Sequence, residues 1–250
     1  MDEMKKKING TGEVISGEGE EIPGVKEAIP GTEDVVLRCD EQGLCLVSGD
    51  QVLRGDFVRM IPRLKHNNLS GELLVRAAKI KGAEGILTAV DGTAGLGEDS
   101  LLLAAAGFHV TMFEKNPVIF QLLADALERA VSVPELAEAV GRMKLVHGDS
   151  VEGMKGLDTP PDVILLDPMF PARQKNALVK KKLQIIQKLE QPCFNEVELM
   201  RAAVEAGPKK LIVKRPPKGP YLAGIRPDFS MEGKAVRFDC IVSPRGKVHL

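Results

Sequence analysis

ILTAVDGTAGLG, residues 86–97, is the stretch that decides the fold of this chain. Its apolar residues end at Asp91, and a loop with glycines at 92, 95 and 97 leads into a helix predicted from about Glu98 to Ala106. Glycines permit a tight turn and let backbone N–H groups approach a molecule bound at a helix N-terminus. The stretch therefore predicts a strand, a ligand-binding loop and a helix, the first unit of an α/β sheet.

The same alternation of strand and helix continues toward the C-terminus. A helix that begins at Asn116-Pro117 is predicted to run to about Ala130. Four more apolar runs predict strands: HVTMFE (109–114), MKLVHGD (143–149), DVILLD (162–167) and KKLIVKR (209–215). This order predicts a parallel sheet with helices on both faces. Four of the five strands end in Asp or Glu at the carboxyl edge, where open α/β sheets bind ligands.

The N-terminal part of the chain has a different character. Residues 1–34 are rich in Gly, Glu and Pro, and we expect them to be loosely ordered. VVLRCD and GLCLVSGD predict a hairpin, with a third strand in QVLRGDFVRM, so residues 35–69 are expected to form a small β-rich subdomain. SGELLVRAAKIKG, residues 70–82, predicts a helix that leads into the main domain, residues 70–250.

Composition limits the classes of protein to which this chain can belong. A chain of 250 residues with 44% hydrophobic content can bury a sizeable core. It contains no run of eighteen apolar residues, and its first residues, MDEMKKKING, lack the apolar core of a signal peptide. We therefore expect a cytoplasmic protein.

The cysteines show no metal or disulfide pattern. None of them falls in a CxxC or Cys/His ligand spacing, so we interpret them as reduced and mostly packing residues and expect no metal; they are Cys39, Cys45, Cys193 and Cys240.

Charge is distributed unevenly along the chain, although the net charge is only −1. Residues 1–50 carry 5 basic and 12 acidic side chains, a net of −7, whereas residues 201–250 carry 11 basic and 4 acidic ones, a net of +7. Residues 171–188 contain six basic side chains and no acidic one. Such a run is either a solvated helix face or a surface that binds phosphates.

The glycine loop indicates which ligand the sheet binds. A dinucleotide site requires G-x-G-x-x-G, but Ser100 stands at the third glycine position if Gly95 and Gly97 are the first two. Asp91-x-x-x-Gly95-x-Gly97 instead resembles the first motif of class I methyltransferases, which use S-adenosylmethionine (SAM). Glu114, at the end of the second strand, can accept hydrogen bonds from both ribose hydroxyls of that cofactor.

The stretch after the fourth strand suggests the reaction. Asp167-Pro168-Met169-Phe170 resembles the (Asp/Asn)-Pro-Pro-aromatic motif of methyltransferases that modify exocyclic amino groups. Such an amine is a poor nucleophile, and acceptors for its N–H bonds can orient it and increase its reactivity. The Asp167 carboxylate and the Pro168 carbonyl are the predicted acceptors, and Phe170 is predicted to stack on the base. The alternative is that this stretch is only a strand-ending turn.

Several motifs together resemble the RsmJ family of small-subunit ribosomal RNA (guanine-N2) methyltransferases. They are DGTAGLGED, FEKNPV, LDPMFP, QKNALVKK, VKRP and RFD, and the resemblance runs from about residue 35 to residue 242. It implies a class I, Rossmann-like methyltransferase that transfers a methyl group from SAM to the exocyclic N2 amine of a guanosine in 16S ribosomal RNA. It also implies ribosomal RNA or the small ribosomal subunit as the partner.

The resemblance carries cofactor-binding roles to particular positions. They are Glu98 and Asp99, Glu114 and Lys115, Asp149 and Ser150, and Asp167, in addition to Asp91, Gly95 and Gly97 of the first motif. The chain departs from the family at Glu98, where we expect Arg, and in RLKHNNLSG before the bridging helix, where we expect an Arg- and Gly-rich segment.

Basic residues near the predicted pocket are candidates for phosphate contacts with RNA. They are Arg173, Lys175, Lys180, Lys181 and Lys182, together with Lys214 and Arg215, although the last two could also be exposed strand-end residues. We interpret Phe108, Phe113 and Phe120 as core residues, and His109 and His147 as structural rather than catalytic.

Two alternatives to this function remain open at the level of sequence. One is an amino-methyltransferase that acts on another RNA, on DNA or on protein. The other is a catalytically silent RNA-binding or assembly factor that retains the fold. The sequence does not predict the oligomeric state.

Overall fold

The structure is a computed structural model that describes residues 35–168, 189 and 195–248, with the backbone of three short strands before residue 35. Two of these strands, β1 (Lys6–Ile8) and β2 (Val14–Ser16), pair antiparallel. The third, β3 (Glu27–Ala28), belongs to the N-terminal sheet. The expectation that residues 1–34 are loosely ordered stays a prediction for the rest of that segment.

The N-terminal sheet has four antiparallel strands in the order β3-β4-β5-β6. β4 (Val36–Asp40) and β5 (Gly43–Ser48) form the predicted hairpin, with Asp40 opposite Gly43. β6 is limited to Gln51–Leu53, and the residues from Val58 to Met60 form a 3-10 turn. The prediction of a longer third strand was therefore wrong in its second half. The apolar alternation is interrupted there by two charged residues and the glycine between them, Arg54, Gly55 and Asp56.

Three short helices connect this sheet to the main domain. They are α1 (Ile61–Leu64), α2 (His66–Leu69) and α3 (Leu73–Ala78). The bridging helix predicted for residues 70–82 is thus shorter than expected. The Lys210 ammonium donates to the carbonyl oxygens of Ala77 and Lys79, each at 2.7 Å, and so ties the end of α3 to the main sheet.

The main sheet has seven strands in the order β12-β13-β11-β10-β7-β8-β9. Their bounds are β7 (Leu87–Asp91), β8 (Phe108–Glu114), β9 (Met143–His147), β10 (Val163–Leu166), β11 (Lys210–Arg215), β12 (Phe229–Glu232) and β13 (Arg237–Val242). The five strands from β7 to β11 run parallel, which confirms the predicted sheet. β13 runs antiparallel to both of its neighbours, and β12 and β13 were not predicted as strands.

Helices cover both faces of this sheet, as predicted. They are α4 (Glu98–Ala105), α5 (Pro117–Val131), α6 (Pro134–Val140), α7 (Ser150–Lys155) and α8 (Glu196–Glu205). One apolar cluster lies under α3, α4, α5 and α6, and a second lies under α7 and α8. α5 begins where the side chain of Asn116 accepts from the N–H groups of Val118 and Ile119. The mostly parallel α/β architecture with a small antiparallel N-terminal sheet is therefore the observed fold.

The N-terminal sheet packs directly on the main domain. Val35, Leu46 and Leu53 form one buried cluster with Leu122 of α5. The guanidinium of Arg129, also in α5, donates to the carbonyl oxygen of Gly55 at 2.6 Å. The division into domains at residues 35 and 70 stays a prediction, although this contact shows that the N-terminal sheet shares apolar surface with α5.

Candidate active site at the carboxyl edge of the sheet

The loop after β7 needs glycine at two positions. Gly95 has φ +53° and Gly97 has φ +74°, both in the left-handed region that side chains other than glycine rarely adopt. A Cβ on Gly97 would also lie 2.7 Å from a methyl carbon of Leu123. A side chain at either position would therefore strain the loop, which leads directly into α4.

The carboxylate of Glu114 holds this loop at the end of β8. Its Oε2 accepts from the Gly95 N–H at 3.0 Å, and its Oε1 accepts from the Asn116 N–H at 2.8 Å. Burial raises the pKa of Glu114, whereas the two N–H groups act in the opposite direction. Each carboxylate oxygen can accept a second hydrogen bond. The fixed Glu114 carboxylate can therefore accept from two hydroxyls of a ligand at this edge.

Asp91 has a different environment at the end of β7. Its side chain is buried, its Oδ2 accepts from the Ser100 hydroxyl at 2.6 Å, and its Oδ1 accepts from the Thr93 N–H at 3.0 Å. Burial raises the pKa of Asp91 to about 6. Ser100 occupies the position at which a dinucleotide fingerprint has its third glycine, and its hydroxyl ties α4 to β7. The buried Asp91 carboxylate therefore stabilises the conformation of the loop.

Asp167 lies just beyond β10, at the same edge. Its backbone N–H donates to the Thr93 hydroxyl at 2.6 Å, which fixes the chain as it leaves the strand. Of its side chain, 42% is accessible to solvent. Desolvation of the carboxylate by the surrounding protein raises the pKa of Asp167, and the positive charge of the nearby Lys214 ammonium opposes that rise. The Asp167 carboxylate is therefore accessible to a substrate at this edge.

Lys214, near the end of β11, bridges two carboxylates. Its Nζ lies 2.5 Å from Asp99 Oδ2 and 2.9 Å from Asp167 Oδ2. Burial alone would lower the pKa of Lys214, but the two carboxylates raise it well above its ordinary value. The ammonium therefore stays charged and links the first turn of α4 to the end of β10.

The residues at this edge fit a SAM molecule. SAM carries ribose hydroxyls, an ammonium and a sulfonium, which are donors or positive charge, and a single carboxylate. The edge offers the carboxylates of Glu114, Asp99 and Asp167, together with the glycine loop that leads into α4. A donor-rich cationic ligand matches this acceptor-rich surface better than a pyrophosphate would.

Comparisons with known proteins agree with this geometry. Residues 29–243 match the model of a family described as "Putative SAM-dependent methyltransferase". The ribosomal RNA small subunit methyltransferase J of Thioalkalivibrio sulfidiphilus is 40% identical over 217 residues, which cover 84% of this chain and 85% of that protein. The enzyme of the same name from Aeromonas hydrophila is 42% identical over 190 residues, 75% of this chain and 76% of its own.

A solved structure supports the same relationship. The SAM-dependent methyltransferase from Neisseria gonorrhoeae is 30% identical, with a TM-score of 0.69 over 87% of this chain and 86% of its own. The chain belongs to the RsmJ family. The resemblance noted from the sequence motifs is confirmed, and so are the SAM-dependent methyltransferase activity and the fold class that it implied.

Other residues that the RsmJ resemblance singled out lie near the cofactor side of the edge. The Gly148 N–H donates to the Glu114 carbonyl oxygen at 3.1 Å, so the loop with Asp149 and Ser150 lies against the end of β8. The Asp149 carboxylate caps α7 by accepting from the Val151 N–H at 2.8 Å. Cofactor contacts by Asp149 and Ser150 stay predictions.

Two further positions on this side have different surroundings. Glu98 forms an ion pair with Arg59, which lies in the 3-10 turn before α1. Lys115 is exposed beside Glu114. Their roles toward the cofactor also stay predictions. The Glu98 pair explains how this chain accommodates an acid where we expected Arg.

Arg215 supports the loop that follows β11. Its side chain is 1% exposed, and its Nε donates to the Pro220 carbonyl oxygen at 2.9 Å. Arg237 supports the same loop: it forms a buried ion pair with Asp239 at 2.7 Å and donates to the Pro217 carbonyl oxygen at 2.8 Å. The phosphate contact predicted for Arg215 stays a prediction, and this burial argues against it.

The histidines and phenylalanines lie largely as expected. Phe108 and Phe113 are buried in the two cores. Phe120 is half-buried, and its ring meets that of His147 with centroids 4.7 Å apart. His109 is the second residue of β8 and therefore lies at the end of the strand away from the candidate site.

Part of the predicted site lies outside the described residues. This concerns Phe170 and the basic residues Arg173, Lys175, Lys180, Lys181 and Lys182, as well as Cys193. The other three cysteines are free thiols. Among the described residues, no helix is long and apolar enough to cross a membrane, and no cluster of metal-ligating side chains is found.

Sequence reasoning missed three contacts that build this edge. They are the Thr93 hydroxyl under Asp167, the Ser100 hydroxyl on Asp91, and the double ion pair of Lys214. For Ser100 a signal existed, because a hydroxyl at the position of a missing glycine can bond to the acid that ends the strand.

Proposed function

We propose that this chain methylates the exocyclic N2 amine of a guanosine in 16S ribosomal RNA, with SAM as the methyl donor. The names of its relatives support the small-subunit RNA as substrate. The observation that carries the proposal is the position of Asp167, a partly exposed carboxylate whose N–H bonds to Thr93 of the same glycine loop that Glu114 holds at Gly95.

The proposed role of Asp167 follows from the chemistry of the amine. The N2 lone pair of guanine is delocalised into the ring, and the nitrogen gains positive charge as it attacks the methyl group that SAM supplies. A carboxylate that accepts from this N–H stabilises the developing charge and holds the nitrogen in line. Because Lys214 shares the Asp167 carboxylate, we assign Asp167 to orientation of the amine, and the proton that the methylated nitrogen loses passes to solvent.

The remaining catalytic positions complete the amine pocket in this proposal. The Pro168 carbonyl accepts the second N–H of the amine, and the ring of Phe170 stacks on the base. A guanine that is bound in this pocket has to be unstacked from its neighbouring bases. A single-stranded or looped region of the RNA is therefore the favoured target.

On the cofactor side, the Glu114 carboxylate accepts from the ribose hydroxyls. The other cofactor contacts are proposed for Asp91, Gly95, Gly97, Glu98, Asp99, Lys115, Asp149 and Ser150. Asp91 would act through the loop, since its own oxygens are buried against Ser100 and Thr93.

Basic residues after the DPMF motif are proposed to bind RNA phosphates. These are Arg173, Lys175, Lys180, Lys181 and Lys182, whose run of positive charge contains no acid. Phosphate contacts position an RNA without selecting a base. A ribosomal RNA substrate also makes the cytoplasm the proposed place of action.

Mapping of methylated nucleotides tests this proposal most broadly. Small-subunit RNA from cells with and without the gene would be digested and analysed by mass spectrometry. We expect one N2-methylguanosine to disappear when the gene is absent. An unchanged methylation map would favour a catalytically silent assembly factor, and loss of a methyl group from another RNA, DNA or protein would favour a different amino-methyltransferase.

A further inference from the structure

The Lys214 ammonium has one N–H that can serve a bound molecule. An ammonium carries three donors. Among the residues that the structure describes, its side-chain partners are Asp99 at 2.5 Å and Asp167 at 2.9 Å. The Lys214 side chain is 24% exposed and that of Asp167 is 42% exposed, so both members of this ion pair are accessible to a bound molecule.

Asp167 and Lys214 together present an ordered row of hydrogen-bonding groups. The two oxygens of Asp167 are acceptors, and the ammonium beside Oδ2 is a donor. The Watson–Crick edge of guanine presents N2–H, N1–H and O6 in sequence, which is donor, donor, acceptor. The two rows are complementary over all three places.

Other bases with an exocyclic amine do not match this row. In adenine the ring atom next to the amine is N1, and in cytosine it is N3; both are acceptors. Either base would direct a lone pair at the second oxygen of Asp167. A site built to pair with a polar edge rejects a base that leaves its groups unpaired, because those groups lose solvent without gaining a partner.

We propose that Lys214 is a specificity-determining residue that donates to O6 of the target guanine while Asp167 accepts from N1–H and N2–H. The inference rests on the proposed function. It replaces the phosphate contact predicted for Lys214 with a contact to the base. Asp99 holds the same ammonium at 2.5 Å, so its carboxylate fixes the position of the donor.

The test uses an RNA substrate in which the target guanosine is replaced by 6-thioguanosine. This analogue keeps N1–H and the N2 amine but offers sulfur, a weak acceptor, in place of O6. We expect the wild-type protein to prefer guanosine by about 5-fold or more in kcat/KM. Lys214→Met should lower kcat/KM on guanosine by about 10- to 100-fold, as expected for the loss of a hydrogen bond to a charged donor. Its preference between the two substrates should fall to about 1.

A matched control separates this effect from general loss of charge. Lys209 also pairs with an aspartate, Asp162, at 2.7 Å, but it precedes β11 and so lies at the opposite end of that strand from Lys214. Lys209→Met should leave both kcat/KM values within about 3-fold of wild type. If Lys214→Met does not fold, Lys214→Gln keeps a donor without the charge and should retain part of the preference.

Three results would overturn the inference. The first is a wild-type protein that uses both substrates equally, and the second is a Lys214 variant that keeps the wild-type preference. The third is SAM affinity that falls as much as activity in Lys214→Met, which would assign Lys214 to the cofactor. A wild-type protein that methylates no guanosine would instead contradict the proposed function itself, and this inference with it.

Discussion

Carboxylates end both the first and the fourth parallel strand, yet their surroundings differ. Asp91 after β7 is buried, with both oxygens bonded to Ser100 and Thr93. Asp167 after β10 is 42% exposed and is shared with a lysine. An acid at the end of a strand thus serves two purposes. The buried Asp91 carboxylate stabilises the loop, whereas the exposed Asp167 carboxylate can contact a substrate.

The largest effect is expected at the open carboxylate. Asp167→Ala should lower turnover by about 100- to 1,000-fold, the range for removing a group that stabilises charge in the transition state. RNA affinity should change only a few-fold, because the contact strengthens mainly during methyl transfer. Single-turnover rates and RNA titrations measure the two quantities separately.

A control for this variant lies at the other end of the same strand. Asp162 precedes β10 and accepts from the Thr88 N–H at 2.8 Å. Asp162→Ala should reduce stability but leave turnover of the folded protein near wild type. Near-normal turnover in Asp167→Ala would instead make the DPMF stretch an ordinary turn.

The buried Asp91 carboxylate should make the free energy of unfolding depend on pH. Burial raises the pKa of Asp91 to about 6, above the value of about 4 in an unfolded chain. The folded state therefore binds more protons between these values, and the Asp91 contribution to the free energy of unfolding falls as pH rises from about 4 to about 6. A difference of about 2 pKa units corresponds to about 3 kcal/mol.

Asp91→Asn provides the comparison. The amide oxygen can still accept from the Thr93 N–H, and the Ser100 hydroxyl can rotate to accept from the amide nitrogen. Denaturant unfolding at several pH values should show the variant gaining stability relative to wild type as pH rises from about 4 to about 6. A difference that does not depend on pH would mean that Asp91 has an ordinary pKa.

A smaller effect is expected at Glu114, whose carboxylate both stabilises the loop, as Asp91 does, and is proposed to contact a ligand, as Asp167 is. Its oxygens bind two backbone N–H groups and retain capacity for a ligand. Glu114→Ala should weaken SAM binding by about 1 to 3 kcal/mol, and calorimetry should detect no binding of NAD to the wild-type protein. Glu128→Ala, an exposed position on α5, is the control. SAM affinity that is unchanged in the Glu114 variant would remove Glu114 from the site.

The smallest effect concerns the basic run. Replacing Lys180, Lys181 and Lys182 together by Gln should flatten the plot of log RNA affinity against log salt by up to about 2 units, at roughly 0.7 per lost phosphate contact. SAM affinity should stay the same. The exposed lysines Lys144, Lys155 and Lys234 form a control triple whose replacement should leave the salt slope unaltered. If the first triple also leaves it unaltered, the run is a solvated surface.

The sequence predicted the parallel part of the sheet because its strands are apolar runs separated by clear helix signals. It did not predict β12 and β13. FSME and RFDCIV contain Glu232, Arg237 and Asp239, which interrupt the apolar pattern that predicts a strand. β13 is held by its antiparallel pairing with β11, and periodicity within one segment cannot report such pairing between segments.

The sequence predicted which strand ends form the site, but it did not predict the contacts between their side chains. Asp167 and Glu114 follow from their positions after apolar runs. Lys214 was predicted as a phosphate contact near the pocket and not as the partner of two carboxylates, because the sequence does not reveal that β11 lies beside β10. Adjacency of strands, which tertiary packing decides, was the missing information.

One measurement tests the central claim most directly. The purified protein would be incubated with isotope-labelled SAM and small-subunit RNA, and the RNA would be digested to nucleosides for mass spectrometry. We predict that the label appears in N2-methylguanosine with wild-type protein and with Glu128→Ala, and is nearly absent with Asp167→Ala. Label on another atom or another base, or equal label with Asp167→Ala, would contradict the assignment of Asp167 as the group that presents the guanine amine.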